Sequence, residues 1–325
     1  MAVIGIESSA HTFGVGIVEN GKVLSNSKAM FKISDRGIIP MEVADHHAEN
    51  AGKVIADAID AAGISAGDLE AVGYTKGPGI GPCLRAGQLA GKAISSSYGI
   101  PLFPVNHGIA HIEIAKGMGK MGDPLVVYVS GGNSQILAME RKPFSHYHVY
   151  GETFDIGVGN MLDSFARAAK LNPAWGSTVE KEARGGRYIG MPYTVKGMDF
   201  AFSGLLTNAV KALGTNRRKD VAFSLQETAF SMICEAAERA LLLTGKKEML
   251  ACGGVAQSSR LGEMLESVAG SHGIRFYRAP NEFNADNGAM IAMVAEKMLD
   301  SGMRREAPTI DQKFRIDRAE IGWEG

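Results

Sequence analysis

The predicted strands and helices follow the same order in both halves of the chain. Each half opens with three short strands joined by turns rich in Ser, Gly and Asn, and then alternates helices with strands. In the first half we predict, in order, three strands, a helix, a strand, a helix, a strand and a helix at 3–6, 13–18, 22–27, 40–62, 71–75, 84–98, 102–105 and 107–115. In the second half we predict three strands, three helices, a strand, a helix, a strand and a helix at 125–130, 135–140, 146–150, 161–171, 205–213, 221–243, 249–252, 261–269, 274–277 and 288–299.

A meander followed by crossover helices predicts a mixed sheet with helices on its faces. Two copies of this pattern favour a duplicated α/β fold with a ligand-binding cleft between two lobes, although no repeat is visible in the residues themselves. A length of 325 residues suits two domains. We expect an N-terminal lobe over 1–122, a C-terminal lobe over 123–299, and a final segment, 300–325, that packs back on the first lobe.

The charge balance excludes a strongly basic nucleic-acid binder. The chain has 34 basic and 35 acidic residues, so any RNA contact must come from a local patch or a partner. The short basic clusters 217–219 and 304–305 are candidates, although most such clusters are only solvated surface. Three cysteines are too few for a disulfide framework. No signal-like start and no apolar run of about 18 residues is present, so we expect a cytoplasmic protein.

Two predicted hairpins and one strand-to-helix turn are candidate ligand sites. In the hairpin 4–18, the Ser- and Gly-rich turn exposes N–H groups, and Glu7 stands at its entry. In the hairpin 128–135, Gly131 and Gly132 let a backbone approach a ligand closely. In the turn 252–261, Gly253 and Gly254 would admit a flat ring such as adenine. Each pattern alone also fits a plain turn.

Two histidines four residues apart, His107 and His111, would share one face of a helix, as divalent metal sites often require. Asp286 could complete such a site, or it could simply cap the helix that follows it. The pattern differs from the metalloprotease motif, because Gly108 stands where that motif has its Glu general base.

Taken together, these motifs resemble the TsaD/OSGEP family, once labelled O-sialoglycoprotein endopeptidases and now regarded as tRNA N6-adenosine threonylcarbamoyltransferases. The resemblance spans nearly the whole chain. Its archaeal and eukaryotic branch is indicated by Tyr128 and by the Ala-His-Thr sequence at 10–12. The most specific motifs are Lys76-Gly-Pro-Gly-Ile-Gly-Pro82, Val105-Asn-His-Gly-Ile-Ala-His-Ile-Glu113, Tyr128-Val-Ser-Gly-Gly-Asn-Ser-Gln135, Gly151-Glu-Thr-Phe-Asp-Ile-Gly-Val-Gly-Asn-Met-Leu-Asp163, Val195-Lys-Gly-Met-Asp-Phe-Ala-Phe-Ser-Gly-Leu205 and Asp286-Asn-Gly-Ala-Met290.

The resemblance implies an actin/Hsp70-like (ASKHA) fold of two RNase H-like domains with an interlobe cleft. It implies one metal ion, iron or zinc, on His107, His111 and Asp286, with Tyr128 as a further ligand or neighbour. It implies that a nucleotide ligand, threonylcarbamoyl-AMP or alternatively ATP or ADP, binds to the residues 128–133, 163, 176, 180, 253, 254 and 258. Within that set, the phosphate end of the ligand would contact Ser130, Gly131, Gly132 and Asn133, which lie beside Tyr128 and Val129. The ribose would contact Asp163, Gly176 and Glu180. The adenine would contact Gly253, Gly254 and Ser258.

The sequence departs from the family at two places on the nucleoside side. Ala174-Trp-Gly-Ser177 replaces the usual Pro-Gly-Gly-Pro, and Gln257-Ser-Ser259 replaces Ala-Asn-Asn. Ser258 would still make a hydrogen bond, but with a shorter reach than Asn. These changes affect the expected affinity for the adenylate more than the chemistry.

The implied reaction is transfer of threonylcarbamoyl from its adenylate to N6 of adenine 37 in tRNAs that read ANN codons. Glu7 is a candidate proton acceptor, and the branch implies KEOPS-type partners, namely an atypical small kinase and a dimerising subunit. The alternatives are an actin-like ATPase or kinase, a related carbamoyltransferase that does not act on tRNA, a metalloprotease, and a non-enzymatic scaffold. A kinase would not need His107 and His111.

Overall fold

The computed structural model describes residues 1–32, 38–303 and 307–324, so the cluster at 304–305 lies outside the described residues. The chain divides into two compact units. Unit 1 comprises Met1–Met118, Glu140–Tyr147 and Ala285–Gly325, and unit 2 comprises Gly119–Met139 and His148–Asn284. This division differs from the expected lobes at three places: 119–122 belong to unit 2, whereas 140–147 and 285–299 belong to unit 1.

Every predicted strand and helix is present, with ends displaced by a few residues. The strands β1 to β12 are Ala2–Glu7, Thr12–Glu19, Lys22–Met30, Leu69–Gly77, Leu102–Asn106, Leu125–Val129, Ser134–Glu140, His146–Glu152, Val195–Lys196, Asp199–Phe200, Glu248–Cys252 and Arg275–Arg278. The helices α1 to α10 are Pro40–Ala62, Gly81–Tyr98, His107–Gly119, Val158–Ala168, Gly176–Ala183, Ser203–Ala212, Arg218–Thr244, Ser259–Ser271, Asn281–Asn284 and Gly288–Asp300. The sequence patterns missed α5, α9 and the small hairpin β9–β10.

The two five-stranded sheets have the same strand order. The first runs β3-β2-β1-β4-β5, and the second, read from its other edge, runs β8-β7-β6-β11-β12. In the first sheet β2 is antiparallel to β1 and β3, whereas β4 is parallel to β1 and β5. In the second, β6 is antiparallel to β7, and β11 is parallel to β6 and β12. The duplication predicted from the pattern of elements is therefore confirmed.

Helix α10 packs against the first sheet with backbone touching backbone. A Cβ atom placed on Gly16 would lie 2.2 Å from the nitrogen of Ala289, and one on Gly5 would lie 2.1 Å from the nitrogen of Ala292. No side chain fits in that space, so only glycine allows this contact. The contact explains why 285–299 group with unit 1, and it fixes Asp286, which precedes α10, relative to that sheet.

Each unit has its own apolar core. In unit 1, residues of β1, β2 and β4 pack with Val54 and Ala58 of α1. In unit 2, the buried side chains of α7 pack with α4, α6 and the second sheet, and Phe165 and Phe230 are fully enclosed. Burying a side chain of this size contributes about 1.5–3 kcal/mol. Among the described helices, none is both long and apolar enough to cross a membrane.

Candidate functional site

Helix α3 presents the two predicted histidines from its first two turns. Its start is fixed by Asn106, whose Oδ1 atom accepts hydrogen bonds from the backbone nitrogens of Gly108 at 2.9 Å and Ile109 at 3.1 Å. An Asn at this position satisfies N–H groups that have no partner within the helix. His107 and His111 are both buried, and their ring centroids are 4.7 Å apart.

Asp286 lies against both histidines. Its Oδ1 atom is 3.3 Å from Nε2 of His111 and 3.6 Å from Nε2 of His107. One ligand atom from each of the three residues lies within 4.8 Å of the others. The cap of α10 is Asn287 instead, whose Oδ1 atom accepts a hydrogen bond from the nitrogen of Met290 at 3.0 Å. The capping interpretation of Asp286 is therefore wrong, and its carboxylate is turned to the histidines.

Two imidazole nitrogens and one carboxylate oxygen make a donor set that suits zinc or iron. The convergence of Nε2 of His107, Nε2 of His111 and Oδ1 of Asp286 fits the metal that the resemblance implies. In such sites the other nitrogen of a ligating histidine usually donates to a carboxylate or a carbonyl. Glu7 provides that carboxylate for His107.

Glu7 lies at the end of β1, fully buried, and both of its oxygens accept hydrogen bonds. Oε2 is 3.0 Å from Nδ1 of His107 and accepts from the hydroxyl of Thr75 at 2.7 Å. Oε1 accepts from the backbone nitrogen of Ser9 at 2.6 Å. The hydroxyl of Ser9 is also 3.3 Å from Nδ1 of His107. These contacts hold the His107 ring in one orientation, and they leave Glu7 little capacity to take a proton from a substrate.

The charges in this site attract a cation. Burial lowers the pKa of His107, but the carboxylates of Glu7 and Asp286 outweigh it and raise that pKa to about 9. Burial also raises the pKa of Asp286, yet its contacts with the two histidines hold that pKa below its usual range. Burial keeps the pKa of His111 low. At neutral pH His107 therefore carries an extra proton between the carboxylates of Glu7 and Asp286, and a cation bound at its Nε2 atom would replace that proton.

In unit 2, the turn between β6 and β7 lies against the start of α4. The nitrogen of Ser130 donates to the carbonyl of Asn133 at 2.7 Å, and the nitrogen of Asn133 donates to the Ser130 hydroxyl at 3.0 Å. A Cβ on Gly157 would lie 2.3 Å from the carbonyl oxygen of Gly131. Gly131 and Gly132 remain exposed. An exposed Gly-Gly turn beside a helix start is a favourable arrangement for a phosphate.

Gly253 and Gly254 follow β11, and the structure gives them different surroundings. Gly253 has a φ of +95°, and a Cβ there would lie 2.5 Å from the carbonyl oxygen of Val129, so both conformation and space require glycine. Nothing lies within 4 Å of a Cβ placed on Gly254. The buried Tyr128 stands beside this turn, with its ring 3.1 Å from the same Cβ position on Gly253.

The predicted ribose-side residues lie on neighbouring helices of unit 2. Asp163 of α4 accepts a hydrogen bond from the nitrogen of Gly176 at 2.7 Å, where α5 begins. Glu180 of α5 accepts one from the nitrogen of Ser259 at 3.1 Å. The hydroxyl of Ser258 accepts from the nitrogen of Leu261 at 3.3 Å and so caps α8. That bond competes with the ligand contact expected of Ser258.

The structure thus brings the sequence-predicted residues together in two groups. The group in unit 1 consists of Glu7, His107, His111 and Asp286. The group in unit 2 consists of the turn Tyr128–Asn133 and the residues 163, 176, 180, 253, 254 and 258. Sequence reasoning missed Thr75 and Ser9 as partners of Glu7. A Thr in a strand and a Ser in a turn carry no distinguishing signal. Asn106 could have been found, because Asn is a preferred residue before a helix.

Comparison with known proteins identifies relatives over the whole chain. The family described as "TsaD: tRNA N6-adenosine threonylcarbamoyltransferase" matches residues 21–293. A tRNA N6-adenosine threonylcarbamoyltransferase of Thermococcus sibiricus is 44% identical over 328 residues, which cover 99% of this chain and 100% of the relative. A probable bifunctional tRNA threonylcarbamoyladenosine biosynthesis protein of Thermoplasma acidophilum is 42% identical over 327 residues, 99% of this chain and 61% of its own.

Solved structures show that the fold is shared more widely. T. kodakarensis HypF superposes with a TM-score of 0.64 at 14% identity, over 92% of this chain and 47% of HypF, so the chain spans about half of that protein. A ROK family glucokinase of Streptomyces griseus, solved with glucose and AMPPNP, superposes with a TM-score of 0.52 at 14% identity, over 91% of this chain and all of the glucokinase. At such low identity these likenesses concern the fold alone, and they confirm the predicted ASKHA-like class.

Proposed function

Because the chain belongs to the tRNA N6-adenosine threonylcarbamoyltransferase family, and is therefore a transferase that acts in tRNA modification, we propose the reaction in full. The chain transfers threonylcarbamoyl from threonylcarbamoyl-AMP to N6 of the adenine at position 37 in tRNAs that read ANN codons, and the reaction depends on a metal. The observation that carries the proposal is the convergence of His107, His111 and Asp286. An ATPase or sugar kinase of the same fold would not need these ligands.

In this reaction the lone pair of N6 attacks the carbamoyl carbon of the mixed anhydride. The bond from that carbon to the phosphate oxygen breaks, AMP leaves with the bonding electron pair, and the amine loses a proton to solvent or a base. The backbone N–H groups of the turn Ser130–Asn133 would hold the phosphate that becomes the leaving group. Iron or zinc, bound to His107, His111 and Asp286, would supply Lewis acidity toward an oxygen of the anhydride.

We assign Glu7 a positioning role for His107 instead of the proton-accepting role considered from sequence. Both of its oxygens already accept hydrogen bonds, and its side chain is fully buried. Tyr128 as a further metal ligand stays a prediction. On the nucleoside side, we propose that Asp163, Gly176 and Glu180 contact the ribose and that Gly254 faces the adenine, since the space beside Gly254 is open.

We further propose that the chain works with protein partners, among them a KEOPS-type kinase and a dimerising subunit. Support comes from the bifunctional relatives, in which the matched region is only 60–62% of a longer chain. A second domain fused to the same enzyme indicates that the two act together. If the purified chain modified tRNA at full rate without any partner, this part of the proposal would fail.

The test is transfer of labelled threonylcarbamoyl from its adenylate to an unmodified tRNA, with and without a chelator and with and without partners. Chelator-sensitive labelling of the anticodon-loop adenine is expected. The double variant His107→Ala/His111→Ala should lose both metal and labelling, and His272→Ala is its control, since His272 pairs with Glu238 in unit 2. Full labelling by the double variant would overturn the metal proposal. Intact nucleotide binding without labelling under any condition would favour the ATPase or scaffold alternatives.

A further inference from the structure

Basic side chains gather where α5 ends and α7 begins. The segments 181–188 and 217–220 contain six basic and two acidic residues, in a chain whose net charge is −1. We call this the basic surface; its cations are Lys181, Arg184, Arg187, Arg217, Arg218 and Lys219. Both acids are engaged within it, because Glu182 pairs with Arg218 and Asp220 pairs with Arg217. The local charge is therefore strongly positive.

The two segments are held together as one surface. Oδ1 of Asp220 accepts a hydrogen bond from the backbone nitrogen of Arg187 at 2.8 Å, and Oδ2 accepts from Nε of Arg217 at 2.7 Å. Nε of Arg218 lies 2.9 Å from Oε1 of Glu182 on α5. In the sequence the two segments lie about 30 residues apart, and only 217–219 stands out as a short basic cluster. The structure joins them, and Arg184 and Arg187 form no ion pair that is found among the described residues.

An exposed aromatic ring stands in the same surface. Tyr188 is 56% exposed, and its hydroxyl lies 3.2 Å from Oγ1 of Thr228 on α7. The neighbouring nitrogen of Ile189 donates to the hydroxyl of Ser224 at 2.8 Å. The Tyr188 ring is thus anchored at its tip while it remains accessible to solvent. Proteins that bind unpaired nucleotides combine such rings with cations that follow the backbone.

The position of the basic surface relates it to the nucleotide. Helix α5 begins at Gly176 and ends at Ala183, a length of about 12 Å for its 8 residues at 1.5 Å per residue. Gly176 and Glu180 of α5 are two of the residues assigned above to the ribose side, whereas Lys181 in its last turn and Arg184, which follows its end, belong to the basic surface. Farther along α7, Glu235 pairs with Arg239 and Glu238 pairs with His272, and Glu263 of α8 pairs with Arg260, so this part of the surface has no comparable excess of cations.

We propose that the basic surface binds the sugar-phosphate backbone of the tRNA substrate and that Tyr188 stacks on one of its unpaired bases. This inference rests on the proposed function, since it assigns where the acceptor RNA contacts the chain. It predicts contacts to phosphates and a base face rather than readout of base edges, so affinity should depend on salt more than on sequence.

The experiment measures the affinity of the chain for an unmodified tRNA transcript at several salt concentrations, without adenylate. The charge-reversal variant Arg184→Glu/Arg187→Glu should bind at least tenfold more weakly at low salt, with a salt slope smaller by about two. The conservative variant Arg184→Lys/Arg187→Lys should bind nearly as the original chain does. Tyr188→Ala should weaken binding at least fivefold, whereas Tyr188→Phe should lose little, because stacking needs the ring and not the hydroxyl.

The matched control is Lys196→Glu/Lys247→Glu, an equal change of charge at two exposed positions of unit 2. It should leave tRNA affinity within twofold. An equal loss in both charge-reversal variants, or no measurable RNA binding by the unaltered chain, would overturn the proposal. Because binding is measured without the adenylate, a chain that binds tRNA through this surface but transfers nothing would contradict the proposed function alone.

Discussion

The Nδ1 atom of His107 lies 3.0 Å from the Oε2 atom of Glu7, and both side chains are buried. A carboxylate at Nδ1 fixes the proton on that nitrogen and leaves Nε2, on the other side of the ring, as the electron-pair donor. That second nitrogen is the one that faces Asp286. Glu7 therefore determines which atom of His107 is presented to a metal.

Replacing Glu7 by Gln should lower metal affinity by about 10- to 100-fold, the usual effect of losing a carboxylate behind a ligating histidine. Gln keeps the size of the side chain but removes the charge. The measurement is metal content after equilibration against graded chelator concentrations. Glu70→Gln, at an exposed position of β4, is the control. If Glu7→Gln retained metal as the original chain does, the positioning role would be excluded.

Replacing Gly16 by Ala should destabilise unit 1 by about 3 kcal/mol, because the new Cβ would overlap the backbone of α10. It should also reduce metal retention, since the packing of α10 fixes the position of Asp286, which directly precedes the cap of that helix. Denaturant unfolding and metal content check both effects. The matched control is Gly52→Ala in α1, where a Cβ meets nothing within 4 Å and should add roughly 0.5–1 kcal/mol of helix stability. Similar unfolding curves for the two variants would contradict the close packing.

His47 should make the folded state less stable in mild acid. Burial lowers its pKa from 6.5 to about 4, and its Nε2 atom lies 2.8 Å from the carbonyl oxygen of Ala10, which requires the proton on that nitrogen. Between these two pKa values the unfolded chain binds a proton that the folded chain does not. Stability should therefore fall as pH drops from 7 to 5, by about 2 kcal/mol from this group.

The comparison that isolates this effect is the same measurement on His47→Gln, which keeps an N–H donor but does not titrate. The variant should lose about 2 kcal/mol less than the original chain over the same pH interval. An equal loss in both proteins would show that His47 does not cause the acid sensitivity.

Ser258→Ala should cost about 1 kcal/mol of stability, because the Ser258 hydroxyl caps α8. Ser258→Asp should keep that stability, since Asp is an equally good cap. Thermal or denaturant unfolding distinguishes the two variants. A Ser258→Ala protein of unchanged stability but with adenylate affinity reduced tenfold would mean that the hydroxyl contacts the ligand rather than the helix.

The sequence predicts the order of elements well because each strand and helix has a strong apolar pattern between turns rich in Gly, Ser and Asn. It misses α5, whose first turn is Gly-Ser-Thr, residues with little helix preference. It predicts His107 and His111 together because they share one helix face. The sequence allows Asp286 to be either a metal ligand or the cap of α10. Only the structure shows that Asn287 caps that helix instead.

The assignment of α10 to unit 1 was beyond the sequence for a similar reason. Gly5 and Gly16 look like ordinary strand residues. Nothing in the sequence around them predicts that they pack against a helix almost three hundred residues later. The same holds for Thr75 and Ser9, whose hydroxyl and N–H groups reach Glu7 only after the chain has folded. Local patterns determine elements, whereas long-range contacts determine the site.

The place of α10 in the chain also has a consequence for biosynthesis. All of unit 2 precedes Ala285 in the chain, whereas unit 1 lacks helix α10 and the Asp286 carboxylate until that point is passed. During translation the residues of the second unit are therefore complete first. The strands of the first unit are made early, but one face of their sheet stays uncovered until α10 has been made. Under the proposed metal site, the three protein ligands can be present together only after Asp286 has been synthesised.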